Sequence, residues 1–414
     1  MTARRLDAAE LELGGGLEVL LVAALEGLAP GGRIEVVSPS RATALELHGW
    51  ARRAGHRTVG ELMPDGGPYA VVVERGPTAR VLADPIGPRR EPPPLRAGGE
   101  FHSADLRDGE PAPGVAGAQR GFTPVRAVAE LGAPSFHWAL NDRDALWADD
   151  VAELAEQATR AQWDASRDVP WAAARDLPDH MERAVAQVMT FIAQNEYAAL
   201  YVPAAFLPHV NPAYAEVVMW LAGHIHDEAR HIEVFTKRAL IGGYAGQALA
   251  STELSLKTLL EERDFSGAAL LLNVLGEGTF LDLLAFVEHH APDAATRAAA
   301  HLAHRDEVRH VHFGISHVRR RMAGDPDQRA SLVAAAERRA EKLVEMSGLS
   351  PLLGEGLTIM AAGSLQPAEL AEGARAVRDL MQTMEDNRIR RLQAAGFDLA
   401  TSTHLSELHT PNLM

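Results

Sequence analysis

Two short segments constrain what this chain can fold into more than any other feature. Residues 227–231 read Asp-Glu-Ala-Arg-His, and residues 306–310 read Asp-Glu-Val-Arg-His. A glutamate precedes each at nearly the same distance: Glu196 stands 32 residues before Glu228, and Glu277 stands 30 before Glu307. Residues i and i+3 share one face of an α-helix, so Glu228 with His231, and Glu307 with His310, each make a two-pronged ligand. The chain thus holds two copies of one unit, a helix carrying Glu and a following helix carrying Glu-x-x-His. Two such helix pairs facing each other place four carboxylates and two imidazoles around a pair of metal ions. A single Glu-x-x-His is usually a solvated helix face. Two copies with apolar neighbours (Phe191, Ile192 and Leu200; Val274, Leu275 and Phe280) put Glu196 and Glu277 on buried helices, where a carboxylate needs a partner.

The expected metal ligands are therefore Glu196, Glu228, His231, Glu277, Glu307 and His310. An oxygen-rich shell with one nitrogen per metal favours two Fe ions, with Mn or mixed Mn/Fe as alternatives. The chain contains no cysteine, which excludes disulfides, zinc-thiolate sites, iron–sulfur clusters and cysteine nucleophiles within it. Asp227 and Asp306 directly precede the ligand glutamates, and a metal-bound His usually gives its other N–H to a carboxylate. His224, four residues before Glu228, and His304, three before Glu307, are candidate additional ligands.

Helical apolar spacing continues around these motifs, over residues 144–168, 178–206, 212–239, 252–261, 266–291, 293–321, 326–347 and 367–394. This predicts a large all-α domain over 123–400, with a peripheral tail after Phe397. Upstream, residues 81–122 are rich in Pro, Gly and Arg and read as a linker, either a spacer or a wrap over the second domain. Residues 1–80 read as a small α/β domain: a helix over 17–28 stopped by Pro30-Gly31-Gly32, a strand over 33–38, a helix over 41–54 and a strand over 68–76. The expected fold class is multidomain α and α/β. A net charge of −16 argues against general nucleic-acid affinity. No signal peptide or membrane span is expected, and the composition suits a cytoplasmic protein.

The paired Asp-Glu-x-Arg-His motifs resemble the ferritin-like, ribonucleotide-reductase-like superfamily of carboxylate di-iron proteins over about residues 140–320. That resemblance implies a four-helix bundle in which Asp227 supports His310 and Asp306 supports His231, with Arg230 and Arg309 bracing the aspartates. The reductase radical tyrosine, seven residues past the first carboxylate, is replaced here by Pro203; Tyr197 and Tyr201 are out of register. Rubrerythrin-like proteins add a Cys-rich module that this chain lacks. The arylamine N-oxygenases carry a third His at the position of Ala303. The segment 161–171, with Trp163, Pro170 and Trp171, is similar to the inter-helix entry of such oxygenases and reads as packing. Residues 1–75 resemble the TusA-like sulfur carriers, a βαβαββ two-layer fold whose Cys-Pro motif carries persulfide. Gly15 and Gly16 occupy those positions, so that chemistry is excluded and a docking, dimerisation or delivery role is expected.

The resulting functional expectation is a di-iron oxygenase or oxidase that activates dioxygen to oxidise a small organic substrate. It would take electrons from an external donor and work as a homodimer, with no nucleic acid or membrane partner. Phe206, Trp220, Leu281 and Phe286 are candidate pocket walls. A ferroxidase and a metal-stabilised binding module remain open on the same ligand set.

Overall fold

Ile34, Val36, Val71 and Val73 alternate with more exposed residues and face one another across a strand pair, which sets the core of the N-terminal unit. The computed structural model describes residues 4–77, 92, 95–107, 109–127, 134–174, 177–343 and 350–409. Much of the proposed linker, including 78–91, lies outside those residues, as does 344–349 of the helix expected over 326–347. The chain divides into two compact units, residues 1–92 with 127–133, and residues 93–126 with 134–414.

The first unit runs β1 (Arg4–Asp7), α1 (Leu17–Glu26), β2 (Arg33–Ser38), α2 (Arg41–Arg53), β3 (Arg57–Leu62) and β4 (Tyr69–Glu74). Its sheet has the order β1-β2-β4-β3, with β1 parallel to β2 and the other pairs antiparallel. Leu17, Leu21 and Leu25 of α1 and Leu47 and Trp50 of α2 complete the core. Ser40 caps α2 by accepting from the Thr43 N–H at 3.2 Å. Gly16 is the residue preceding α1 and has φ 112°, a backbone that favours glycine.

The second unit is helical. It contains α3 (Val151–Arg160), α4 (Asp179–Phe206), α5 (Ala215–Ile241), α6 (Ala250–Leu260) and α7 (Phe265–Ala269). A π-helical stretch, Leu270–Glu277, joins α7 to α8 (Gly278–His289). Then follow α9 (Ala294–Gly324), α10 (Asp327–Leu343), α11 (Pro351–Ala362), α12 (Pro367–Ala394) and α13 (Leu399–His409). The four long helices α4, α5, π/α8 and α9 pack together as the expected four-helix core. The stretch Phe265–His289 is long and apolar enough to cross a bilayer, but 72% of its apolar window is buried in the unit, as in a core helix. One end of the bundle is tied by the fully buried Arg238 on α5. It donates to Glu182 of α4 at 2.6 and 3.1 Å and to Asp293, the cap of α9, at 2.9 Å.

Three expectations are corrected. The helix over 144–168 is only Val151–Arg160, because Asp164 and Asp168 close a turn that swings Gln162 and Trp163 off the helix: Asp164 N–H donates to Asp168 at 2.8 Å and Ser166 N–H to Asp164 at 2.7 Å. Helix α11 was not expected; Gly363 ends it with φ 73°, and the short Gly-rich run had hidden its periodicity. The tail after Phe397 is not peripheral. It forms α13, with Ser402, Leu405, Ser406 and His409 buried. Residues 95–107 and 109–126 pack on the helices, with Arg107 donating to Glu216 at 2.7 Å and Tyr214 OH to the Gly114 carbonyl at 3.0 Å.

Gly314 lets α9 approach the π-helical stretch: a Cβ there would lie 2.5 Å from the Asn273 Cβ. Gly314→Ala would gain about 1 kcal/mol of helix propensity. The overpacking costs about 1–3 kcal/mol, so net destabilisation in urea unfolding is expected. His317, buried between Ser266 (2.9 Å) and the Trp147 carbonyl (3.0 Å), is held down to about 4 by burial. A depressed His contributes stability that is intact above pH 6.5 and drains away as pH falls toward 4, on the order of 3 kcal/mol. In His317→Gln, the unfolding free energy measured across that window should lose this slope.

Candidate metal centre

Inward positions on α4, α5, the π stretch and α9 carry the site. Glu196 is 2% exposed, Glu277 is 4%, and Glu228, His231, Glu307 and His310 are fully buried. Two groups converge, Glu196–Glu228–His231–Glu307 and His224–Glu228–Glu277–His310, with ligand atoms in each group within 4.8 Å of one another.

The distances show how the carboxylates are shared. Glu228 places Oε1 2.8 Å from His310 Nδ1 and Oε2 3.3 Å from His231 Nδ1. Glu307 does the same in reverse, with Oε1 3.4 Å from His231 Nδ1 and Oε2 3.4 Å from His310 Nδ1. Each of these carboxylates therefore faces both imidazoles. Glu196 belongs to one group and Glu277 to the other.

The opposite ring nitrogens are held by aspartates across the helix pair. His231 Nε2 lies 3.3 Å from Asp306, and His310 Nε2 lies 3.4 Å from Asp227. Arg230 donates to Asp227 at 2.5 Å and to Asp306 at 2.8 Å; Arg309 donates to Asp306 at 2.5 Å and to Asp227 at 3.1 Å. Two aspartates and two arginines thus close a ring behind the imidazoles. With Nε2 facing Asp, each Nδ1 faces the carboxylates, with a proton or a metal ion able to sit between them.

The donor set fits metal cations. Both oxygens of Glu228 and of Glu307, Glu196 Oε1, and Nδ1 of His231 and His310 are buried without a directed hydrogen bond. Burial, with Glu228 and Glu307 beside it, pushes the Glu196 carboxyl well above the usual range. Burial also raises Glu277. Burial would raise Glu228 too, but His231, His224 and His310 outweigh it and hold it well below the usual range. Burial disfavours a charged His231, yet Glu228 and Asp306 overcome it and lift its pKa. The cluster favours added positive charge, as protons or as metal ions.

Both candidate extra ligands can be placed. His224 Nε2 lies 3.1 Å from Glu277 and 3.4 Å from Glu228, and its ring stacks on His310 at 3.8 Å. His304 lies outside both groups; Ala303 takes the inward position and His304 turns to a half-buried flank. Trp163, read from the sequence as packing, donates its indole N–H to Asp306 at 2.7 Å and lies under the Arg230 guanidinium. Gln162 donates to Asp227 at 3.1 Å. Asn273, one turn before Glu277, donates to it at 2.7 Å. Trp171 is packing, its indole bonded to the Ala165 carbonyl. Of the expected walls, Trp220 lies beside both His224 and His310, and Phe206 lines a small pocket with His224. Leu281 and Phe286 line neither of the two described cavities that border the cluster. A separate cavity borders Glu196, Glu277 and Glu307, with apolar walls from Leu256, Leu259, Leu272 and Phe280.

No family model matches the chain, and no curated protein sequence matches it. Among solved structures it is similar to a glycine-to-phenylalanine variant of an R2-like ligand-binding oxidase with an aerobically reconstituted Mn/Fe cofactor. That match has 16% identity, covers 62% of this chain and 97% of the other, and has a TM-score of 0.43. A glycine-to-leucine variant with an Fe/Fe cofactor gives 17% identity, 60% and 93% coverage, and a TM-score of 0.45. At such distant likeness, the metal reading rests on this chain's own side chains.

Replacing Glu228 or Glu307 by Ala should remove both metals, read by elemental analysis of the purified chain; a variant that keeps two ions sinks the ligand assignment. Asp227→Asn and Asp306→Asn should keep the site but weaken metal affinity roughly 10- to 100-fold in competition titrations.

Proposed function

We propose that this protein is a carboxylate-bridged dinuclear-metal oxidoreductase, an oxygenase or oxidase that uses dioxygen to oxidise a small organic substrate. The observation that carries this reading is the pair of carboxylates, Glu228 and Glu307, each facing both imidazoles, beside a cavity that borders the carboxylates but contains neither imidazole. Glu196, Glu228, His231 and Glu307 would hold one ion, and Glu228, Glu277, Glu307 and His310 the other, with His224 at the second. A pair of iron ions, or iron with manganese, supplies redox chemistry with dioxygen when bound.

The chain's own residues supply the rest. Asp306 and Asp227 keep the two imidazoles in the tautomer that presents Nδ1. Arg230, Arg309, Trp163 and Gln162 hold those aspartates in place. Asn273 orients Glu277. Trp220 and Phe313, stacked at 5.1 Å, exclude water on the His310 side. In a monooxygenase reaction one oxygen atom enters the substrate and the other leaves as water, with two electrons from an external donor and two protons from solvent.

The N-terminal unit, with its βαβαββ order, supports the reading of a TusA-like domain retained for docking or delivery; Gly15 and Gly16 offer no sulfur nucleophile.

Anaerobic loading with Fe(II) followed by dioxygen tests the reading. Oxidation should stop at about two Fe(II) per chain, with further dioxygen uptake only when reductant and substrate are added. Continued Fe(II) oxidation well beyond two per chain would mean a ferroxidase. Two tightly held ions that never react with dioxygen would mean a metal-stabilised binding module.

A further inference from the structure

Two interior cavities border the cluster, and both are very small. The one beside Glu196, Glu277 and Glu307 is about 30 Å³, and the one beside His224 and Asn273 is about 20 Å³. A cavity of that size has room for one water or one small gas molecule. Leu272 of the π-helical stretch lines both, so it is a shared wall.

The smaller cavity is poorly suited to water. Nine of its eleven lining residues are apolar, among them Val202, Leu221, Phe265 and Phe313, and all eleven are buried. A buried water needs about two to four polar partners. The polar lining residues are His224 and Asn273, and each already directs a nitrogen to Glu277. His224 Nε2 lies 3.1 Å from Oε1, and Asn273 Nδ2 donates to Oε2 at 2.7 Å. The other side chains offer dispersion contact and nothing to hydrogen-bond. Apolar cavities of this kind stay dry and take up apolar guests such as xenon.

Small residues keep the space open. Ala268 and Ala269 line it just before the π-helical stretch, in a run that continues as three leucines. Pro203, seven residues past Glu196, is another compact wall. The cavity therefore combines three properties: it is apolar, it is sized for a diatomic molecule, and it lies against the two side chains that hold Glu277.

We propose that the cavity lined by His224, Asn273, Ala268 and Leu272 is a holding site for dioxygen, from which the molecule passes Leu272 into the cavity beside the carboxylates. This inference rests on the proposed oxidoreductase reading of the same cluster. Dioxygen is small and apolar, so a dry apolar space concentrates it relative to water. The same walls keep water from following it to the carboxylates. Holding the molecule there forms and breaks no bond.

Xenon-pressurised crystals of the metal-loaded full-length chain test occupancy. Stopped-flow mixing of the Fe(II)-loaded chain with dioxygen tests passage, with metal content measured on every sample. Xenon should occupy the cavity between Ala268 and His224. Ala268→Val should lose the xenon and slow the second-order reaction with dioxygen at least tenfold while retaining two metals. Leu272→Ala should join the two cavities, keep the xenon and speed the reaction. If Ala268→Val does not fold, Leu272→Ala carries the passage test by itself. Xenon absent from the wild-type cavity, ordered water in its place, or a rate unchanged in Ala268→Val or in Leu272→Ala overturns the inference alone. A wild-type chain that holds no metal, or holds two ions and never consumes dioxygen, overturns the oxidoreductase reading, and the dioxygen assignment falls with it. The wild-type rate separates the two cases.

Discussion

Four glutamates and two histidines packed in one dry space create an electrostatic problem that organises the helical unit. Carboxylates at such separations repel strongly in a low-dielectric interior, and desolvation penalises each charge again. The structure answers with convergence rather than dispersal. Glu228 and Glu307 each turn both oxygens toward both imidazoles, and the cluster is left hungry for cations. The four long helices must hold this arrangement in register, because a shift of one helical position would carry a ligand about 100° around its axis and out of the site.

That register is enforced behind the ligands, not at them. Asp227 and Asp306 cross between α5 and α9, and Arg230 and Arg309 each bond both aspartates. A buried guanidinium shared by two carboxylates is satisfied only in one relative placement of the helices, which makes the ring a positional lock more than a source of stability. Gly314 acts on the same joint from the steric side, letting α9 approach the π-helical stretch that carries Asn273 and Glu277. Arg238 ties the far end of α5 to α4 and to the start of α9.

The site's skeleton was legible because it is local. Glu-x-x-His at i and i+3 is a property of one helix, and repetition of the motif with a glutamate some 30 residues upstream made its role readable. The supporting residues were not legible in this way. Trp163 and Gln162 reach the aspartates from a turn after α3, 143 and 65 residues away along the chain, so no periodicity connects them. The segment stood out in the sequence, but only as packing. Asn273 is one turn from Glu277, yet a lone Asn in an apolar run has many explanations. Helices α11 and α13 escaped because glycine-rich or short amphipathic stretches carry weak periodic signal until something packs against them.

By itself, the sequence determined the helical class of the large unit and the two copies of a Glu helix followed by Glu-x-x-His, since these follow from composition and the 3.6-residue period. It also determined that no thiol chemistry occurs in either unit, since the chain has no cysteine. Only the tertiary structure decided which carboxylates face both imidazoles, that His224 joins the cluster while His304 does not, and that two small cavities border it. The physical reason is that helical periodicity states which residues share a face. The rotation and approach of one helix against another, set by Gly314, Arg238 and the Asp–Arg ring, state what that face meets.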